Sequence, residues 1–400
     1  MSQPVKVAVI TSSRADFGHL HWPLRHMLAH SQIEPKLIVM GAHLSPEFGS
    51  TVDEIERLGF VVDETIECLL SSDSDVGMSK SIGLATLGLT EILSRDRPDL
   101  VLLIADRYEM LAPASVALAL RIPVAHIEGG ETSEGAIDDA VRNALTKLSH
   151  VHFTPTALAK QKVLALGEEA WRVYQVGAPS LDQLHEATIP GPAELGERLA
   201  IDLDKPYCLV SVHPVTLAAD PEADAIALFS ALENVSLAKI ICFPNADAGS
   251  RKLIRRSRDF CQRNANARLF VNLAHLDYWG LLKHSLFLVG NSSSGIMETP
   301  ALKLPAVNIG IRQQGRERAD NIIDCPAQAD RIRAAIDKAC SETFKASLNS
   351  MHNPYGDGTA GRRIAELIAG LPGKQELLLK KNLPAGMDDV LTAHSNPGHG

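Results

Sequence analysis

Two stretches decide how this chain folds: Leu100-Val101-Leu102-Leu103-Ile104-Ala105-Asp106-Arg107 and Ile122-Pro123-Val124-Ala125-His126-Ile127-Glu128-Gly129-Gly130-Glu131. Each is a short apolar run that reads as a strand, and each runs directly into an acid. A third acidic cluster, Asp138-Asp139, opens the helical segment that follows. In an open α/β sheet, the C-terminal ends of neighbouring parallel strands face the crevice where ligands bind. A carboxylate there is poorly solvated unless a partner meets it, so its pKa moves easily into a range useful for proton transfer. A single acid in a turn needs no function. Three at successive element ends mark Asp106, Glu128 and Asp138 as candidate catalytic groups.

Outward from these stretches the same rhythm continues. Residues 5–11 read as a strand, 19–30 as a helix, 37–40 as a strand, and 51–58 and 81–95 as helices. After the two acid-ended strands come a helix over 138–149 and a strand over 151–154. Alternation of this kind predicts a parallel, doubly wound α/β sheet. The run Ala187-Thr188-Ile189-Pro190-Gly191-Pro192 then breaks it. Strand candidates resume at 207–212, 239–243, 269–272, 286–289 and 306–309. The expected organisation is an N-terminal Rossmann-like domain over 1–186 and a second over 187–355, joined by a short linker and facing across a cleft. A C-terminal helix over 356–372 is expected to pack back on the first domain, with a mobile tail over 373–400.

Bulk properties narrow the function. With 400 residues, two domains are the default. A formal net charge of −9 argues against nucleic-acid or anionic-membrane partners, both of which need a basic face. No run approaches the ~20 apolar residues of a membrane span, and the first residues enter a strand without the layout of a signal peptide. The six cysteines show no CxxC pair and no zinc-like spacing, which suits buried thiols in a reducing cytoplasm. No metal-ligand set is apparent, and His19 and His21 stand apart from any carboxylate in the sequence.

The second half offers a nucleotide cradle. Gly290-Asn291-Ser292-Ser293-Ser294-Gly295 follows a strand and leads into a segment expected to be a helix containing Glu298. Small residues let the backbone approach a phosphate, and hydroxyls with free N–H groups bind its oxygens. The next strand delivers Gly310-Ile311-Arg312-Gln313-Gln314-Gly315-Arg316. Arg312 can meet a diphosphate, and Glu298 can hold two ribose hydroxyls. His213 of His213-Pro214 stands at the end of the strand over 207–212. In the first half, Thr11-Ser12-Ser13-Arg14-Ala15-Asp16-Phe17-Gly18 occupies the place of a dinucleotide fingerprint but lacks G-x-G-x-x-G, which disfavours NAD. Arg14 is a candidate phosphate or base contact.

Taken together, these residues resemble the hydrolysing UDP-N-acetylglucosamine 2-epimerases of sialic- and legionaminic-acid-type pathways. The resemblance runs from about residue 5 to 368. It is carried by Ser13 to Gly18, Gly41-Ala42-His43-Leu44-Ser45, Asp106-Arg107-Tyr108-Glu109, His126 to Glu131, and Ile137-Asp138-Asp139 with Thr146-Lys147-Leu148-Ser149-His150. Further carriers are His213-Pro214-Val215-Thr216, Gly290 to Gly295, and Asn308-Ile309-Gly310-Ile311-Arg312-Gln313. It implies two Rossmann-like domains of GT-B type, with the nucleotide held mainly by the second. It matches Asp106, Glu128 and Asp138 to the catalytic acids, and Arg14, His213, Ser292, Ser293, Glu298 and Arg312 to nucleotide contacts. His43, Arg107, His126 and His150 match positions around the sugar. Two positions depart from the pattern: Ala105 stands where relatives commonly have Gly, and Met297 where many have Arg.

The implied reaction removes the C2 proton of a nucleotide-linked 2-acetamido sugar, expels the nucleoside diphosphate to leave a glycal, and adds water at C1 with reprotonation on the opposite face of C2. It needs no cofactor. UDP-N-acetylglucosamine is the default substrate. A 2,4-diacetamido-trideoxy sugar, a GDP-linked donor and the non-hydrolysing epimerase are alternatives, and a GT-B glycosyltransferase is a more remote one. The resemblance also implies a homo-oligomer, dimer or tetramer.

Overall fold

The computed structural model describes residues 3–70, 74–133, 137–215, 220, 222–242, 250–270 and 273–382. The chain forms two parallel sheets. The first contains β1 (Val5–Thr11), β2 (Ile33–Met40), β3 (Glu64–Ile66), β4 (Leu100–Ile104), β5 (Val124–Ile127), β6 (Val151–Thr154) and β7 (Val173–Gln175). The second contains β8 (Tyr207–Ser211), β9 (Ala238–Cys242), β10 (Ala267–Phe270), β11 (Leu288–Gly290), β12 (Ala306–Ile309) and β13 (Ile322–Cys325). Their orders are β3-β2-β1-β4-β5-β6-β7 and β10-β9-β8-β11-β12-β13. In both, the order reverses beside the first strand of the unit, the switch point where α/β sheets bind ligands. The protein is thus an α/β chain of two Rossmann-like domains in the GT-B arrangement.

Continuous apolar strands follow from burial on both faces. Along β4, Leu100, Leu102 and Ile104 enter one core, while Val101 and Leu103 enter the other. In the second domain, Tyr207 and Leu209 face one core and Cys208 and Val210 the opposite one. Val9, Leu102, Leu103, Ile104, Leu209 and Val210 are fully enclosed, each a burial of about 1.5–3 kcal/mol.

Several elements differ from the sequence-based expectations. The first helix begins at Arg14 rather than 19, because the Ser13 side chain accepts from the Asp16 backbone N–H and caps it. β2 begins at Ile33, and the helix before β4 spans Asp75–Arg95 with Ser74 as its cap. The edge strands β3, β7 and β13 are only 3, 3 and 4 residues long, too short to show a period in the sequence. The third strand of the second sheet covers Ala267–Phe270; residues 271 and 272, like Thr216 and Phe243, lie outside the described residues.

The helix Ala360–Ala369 crosses back to the first domain. Ala360, Ile364 and Ile368 share a core with Leu20, Leu24 and Val9. The carboxylate of Asp182 accepts from the N–H groups of Ala360 and Gly361 at 2.9 and 2.6 Å, satisfying the start of that helix. The first part of the expected mobile tail is docked instead. Arg172, buried in the first domain, donates to the carbonyls of Glu376, Leu377 and Leu379, and Lys380 pairs with the enclosed Glu168 at 2.9 Å. Residues 383–400 lie outside the described residues. Among the described residues no helix is long and apolar enough to cross a membrane.

Candidate active site

The C-terminal edges of the two sheets face each other, and side chains from both line two adjoining compartments. The first is lined by Ala15, Asp16 and His19 of the first helix, the turns after β4 and β5, the start of the Asp138–Leu148 helix, and Ser293, Met297, Arg312 and Arg316 of the second domain. The second is lined by Arg14, Ala15, His19, Ser211, His213, Tyr278, Ser292, Ser293, Glu298 and Arg312, among others. Together with the solvent at its open mouth it spans about 870 Å³. His19, Ser293 and Arg312 belong to both. The acids and the candidate cradle therefore open into one space, with His19, Arg312 and the Ser293 hydroxyl at the junction.

All three acids face a cation in the first compartment. Arg142 pairs with Asp106 and also donates to the Glu131 carbonyl at 3.0 Å. Glu128 lies 2.6 Å from His19 Nδ1, and Asp138 lies 3.8 Å from Arg312 of the other domain. Burial pushes the Glu128 carboxyl upward, but the His19 and Arg316 cations outweigh it and hold its pKa below the usual value. Burial likewise opposes the charge on His19, yet Glu128 and then Glu298 pull its pKa up to about 9. At neutral pH this is a partly buried ion pair of imidazolium and carboxylate.

Backbone geometry aims these groups. Ala105 and Glu128 both adopt left-handed φ, +58° and +66°, a conformation that costs a non-glycine residue about 1–2 kcal/mol. The His126 imidazole lies 2.8 Å from the Ala105 carbonyl and Ala105 N–H donates to Ile127 O, so the strained turn is braced by the neighbouring strand. A φ of +58° is one that glycine adopts at no steric cost.

The cradle is organised around Asn291. Its side chain accepts from His213 N–H at 2.7 Å and donates to His213 O at 3.0 Å and to Asp224 at 3.1 Å. Its own carbonyl receives Arg312 Nη1 at 3.1 Å and Gln313 Nε2 at 2.9 Å. Gly290, at φ +145°, lets β11 approach β8 closely: a Cβ there would lie 1.8 Å from the Ser211 carbonyl oxygen. The helix expected to contain Glu298 is one short turn, Ser294–Met297, and a 3-10 turn over Thr299–Leu302 follows because Pro300 cannot continue it. Glu298 is buried, and its Oε2 has no hydrogen-bond partner among the described residues. A buried acceptor left open is suited to a ligand hydroxyl.

The candidates read from the sequence separate into two groups. Asp106, Arg107, Glu128, Asp138 and Arg312 line the first compartment, and Arg14, His213, Ser292, Ser293, Glu298 and Arg312 the second. His43, His126 and His150 line neither. His43 is fully enclosed between the Thr11 and Thr51 hydroxyls, and burial pulls its pKa down to about 3. His126 props the β4 turn. His150 accepts from Val124 N–H at the start of β5, away from the strand end that bears Glu128.

Other residues escaped the sequence reading. His19, which stood apart from carboxylates along the chain, bridges Glu128 and, at 3.9 Å, Glu298 of the second domain. Arg316 donates to Thr132 O at 2.7 Å and lies 3.5 Å from Glu131, crossing between the domains beside Met297. Arg142 left a usable signal. It occupies the inward face of an amphipathic helix, beside Val141, Leu145 and Thr146, where a buried arginine needs an anionic partner. His19 and Arg316 left none, since their partners are far along the chain.

Comparison with known proteins is consistent with this geometry. The family profile described as UDP-N-acetylglucosamine 2-epimerase matches residues 25–369. A UDP-N,N'-diacetylbacillosamine 2-epimerase (hydrolyzing) of Legionella pneumophila is 36% identical over 383 residues, 94% of this chain and 99% of that protein. A GDP/UDP-N,N'-diacetylbacillosamine 2-epimerase (hydrolyzing) of Campylobacter jejuni is 36% identical over 349 residues, 85% of this chain and 88% of its own. The crystal structure of UDP-GlcNAc 2-epimerase from Neisseria meningitidis bound to UDP-GlcNAc shares the fold with TM-score 0.76 at 19% identity, over 92% of this chain and 100% of that one.

Proposed function

This chain belongs to the UDP-N-acetylglucosamine 2-epimerase family, and on that premise we propose that it is a hydrolysing 2-epimerase of a UDP-linked 2-acetamido sugar. The observation that carries the reading is the pair of adjoining compartments, one lined by three acids and the other by the cradle, which share His19, Ser293 and Arg312. In the reading, UDP occupies the cradle with its ribose hydroxyls on Glu298, and the sugar reaches into the acid compartment.

The chemistry assigned to these residues is an elimination followed by a hydration. A carboxylate of the set Asp106, Glu128 and Asp138 takes the C2 proton. The C1–O bond breaks, UDP leaves with its electron pair, and a 2-acetamidoglycal remains. Arg312, His213 and the Ser292–Ser293 segment meet the charge that develops on the diphosphate. Water then adds its hydroxyl to C1, its proton passes through a second carboxylate of the set to the opposite face of C2, and the proton held by the first carboxylate leaves with UDP to solvent. The products are the free C2-epimer and UDP. The pairing of Glu128 with His19 supports this role, because it holds that carboxylate ionised at neutral pH. Acid–base assistance of this kind contributes about 10²–10⁴ per group.

The leading substrate is UDP-N,N'-diacetylbacillosamine, which the names of the two relatives at 36% identity carry, with UDP-N-acetylglucosamine as the second candidate. Incubation with each UDP-sugar, with UDP release followed enzymatically and the sugar product by NMR, is expected to give free UDP and a free reducing epimer. An epimerised sugar still attached to UDP would make the chain a non-hydrolysing epimerase. No turnover of either would remove the assignment.

A further inference from the structure

Three polar side chains line both compartments: His19, Ser293 and Arg312. With UDP in the cradle and its sugar among the acids, the diphosphate must cross this junction. The bond that breaks, from C1 of the sugar to a diphosphate oxygen, lies there too. An oxygen leaving with an electron pair is helped by a group that can hand it a proton. A guanidinium keeps its protons at any pH the protein meets, and a serine hydroxyl is too weak an acid. Of the three shared groups, only an imidazolium releases a proton in the range where proteins work.

The surroundings of His19 suit that task. Its Nδ1 lies 2.6 Å from Glu128 Oε1, so the N–H on that side is committed to the acid compartment. Its Nε2 makes no hydrogen bond with a described residue, and Glu298 Oε1 stands 3.9 Å away in the second domain, beyond hydrogen-bond reach. The ring therefore offers an occupied N–H to the sugar side and an open one to the nucleotide side. Burial opposes the imidazolium, while Glu128, Glu298 and Asp16 of its own helix favour it. His275 of the second domain stands neutral beside it, its pKa pushed down to about 3 by burial and by the His19 charge. Glu128 contributes most of what holds the proton on His19. Protonation of Glu128, one of the candidate bases, removes that hold, so the imidazolium becomes a stronger acid as the base is used.

We propose that His19 is the general acid of the elimination, its Nε2 giving a proton to the diphosphate oxygen as the C1–O bond breaks. The inference rests on the epimerase reading. In this step a carboxylate takes the C2 proton, the C2–H electron pair becomes the second bond between C1 and C2, and the C1–O pair stays on the oxygen. The Nε2 proton joins that oxygen and leaves the imidazole neutral. The proton held by the carboxylate then passes through solvent to the imidazole. One proton has left with UDP, and both groups are restored.

The test separates the two halves of the reaction on the full chain. UDP release from the nucleotide sugar needs the acid. Hydration of added 2-acetamidoglycal in the presence of UDP does not, because no diphosphate departs. His19→Gln is expected to slow UDP release by about 10²-fold or more. Glycal hydration by the same variant is expected to stay within about threefold of the unaltered protein. His19→Arg keeps a cation against Glu128 but holds its protons, and is expected to lose UDP release to the same extent. In the unaltered protein kcat/KM for UDP release is expected to fall as pH rises through about 9, a limb absent from His19→Gln. Equal loss of both halves would overturn the proposal by assigning His19 to holding Glu128 in place. An active arginine variant would overturn it by showing that charge alone suffices. So would UDP release that is flat across pH 9 or retained by His19→Gln. All of these outcomes leave the epimerase reading standing. An unaltered protein that neither releases UDP from a nucleotide sugar nor hydrates the glycal removes that reading, and this proposal with it.

Discussion

The N-terminal wall of the cleft presents its acids on strained, ion-paired backbone, whereas the C-terminal wall is a cradle of small residues braced through Asn291. On the first wall, the conformations of Ala105 and Glu128 cost free energy, and cations from elsewhere in the chain fix the charges. On the second, Gly290 and the serines let the backbone itself form the surface, and Glu298 Oε2 is left without a partner among the described residues. The difference teaches where each kind of chemistry can be stored. A proton-transfer group must be held in one charge state and orientation before substrate arrives. A binding surface must instead leave polar atoms open for the ligand to satisfy.

If the two walls are distinct in this way, changes to each should give separable effects. The largest is expected from Asp106→Asn, which keeps shape and removes the charge. Turnover should fall by about 10² or more, while the affinity for UDP measured by calorimetry stays within about threefold of wild type. Retained turnover removes Asp106 from the catalytic set, and a parallel loss of UDP affinity would erase the division between the walls.

The converse is expected of Arg312→Ala. Loss of a charge-assisted contact to the diphosphate, worth about 1.5–3 kcal/mol, should weaken UDP binding by about 10- to 100-fold. Unchanged UDP affinity would show that the cradle grips the diphosphate without this side chain.

A third test concerns the bridge between the walls. The pKa of His19 is raised from 6.5 to about 9, so its contribution to stability is full below 6.5 and is lost as pH rises through about 9. The lowered pKa of Glu128 adds a contribution present above the ordinary glutamate value and lost in acid. Thermal stability of the wild type should therefore decline from pH 6.5 to 9 more steeply than that of His19→Gln. Identical slopes would show that the pair is not ionised in the folded protein.

The smallest effect is expected from Ala105→Gly. Glycine relieves a left-handed penalty of about 1–2 kcal/mol but gives back about 0.5–1 kcal/mol in unfolded-chain entropy. A net gain of about 0.5–1 kcal/mol in urea unfolding should result. A loss would mean that the alanine methyl contributes packing that outweighs its strained φ.

How much of this was legible along the chain follows from range. Apolar strands ending in Asp106 and Glu128, the serine-rich turn after β11 and Arg312 after β12 are local patterns. Burial on both faces of a parallel strand imposes a continuous apolar run, and a strand end is where that run meets a polar residue. These features, with the two-domain α/β architecture, came from the sequence. The short edge strands β3, β7 and β13 and the docking of residues 374–382 did not, because too few residues carry each signal.

The amino-acid order by itself determined two parallel sheets and which strand ends bear acids, hydroxyls and the arginine, because strand, turn and cap preferences act over a few neighbours. Only the tertiary structure decided that His19 stands between Glu128 and Glu298, that Arg142 meets Asp106, and that Arg316 reaches Glu131 from the other domain. It also separated the buried structural histidines His43, His126 and His150 from those facing the cleft. The physical reason is that a buried charge takes whatever counter-charge the packing of the two sheets brings within reach, and sequence separation carries no information about that distance.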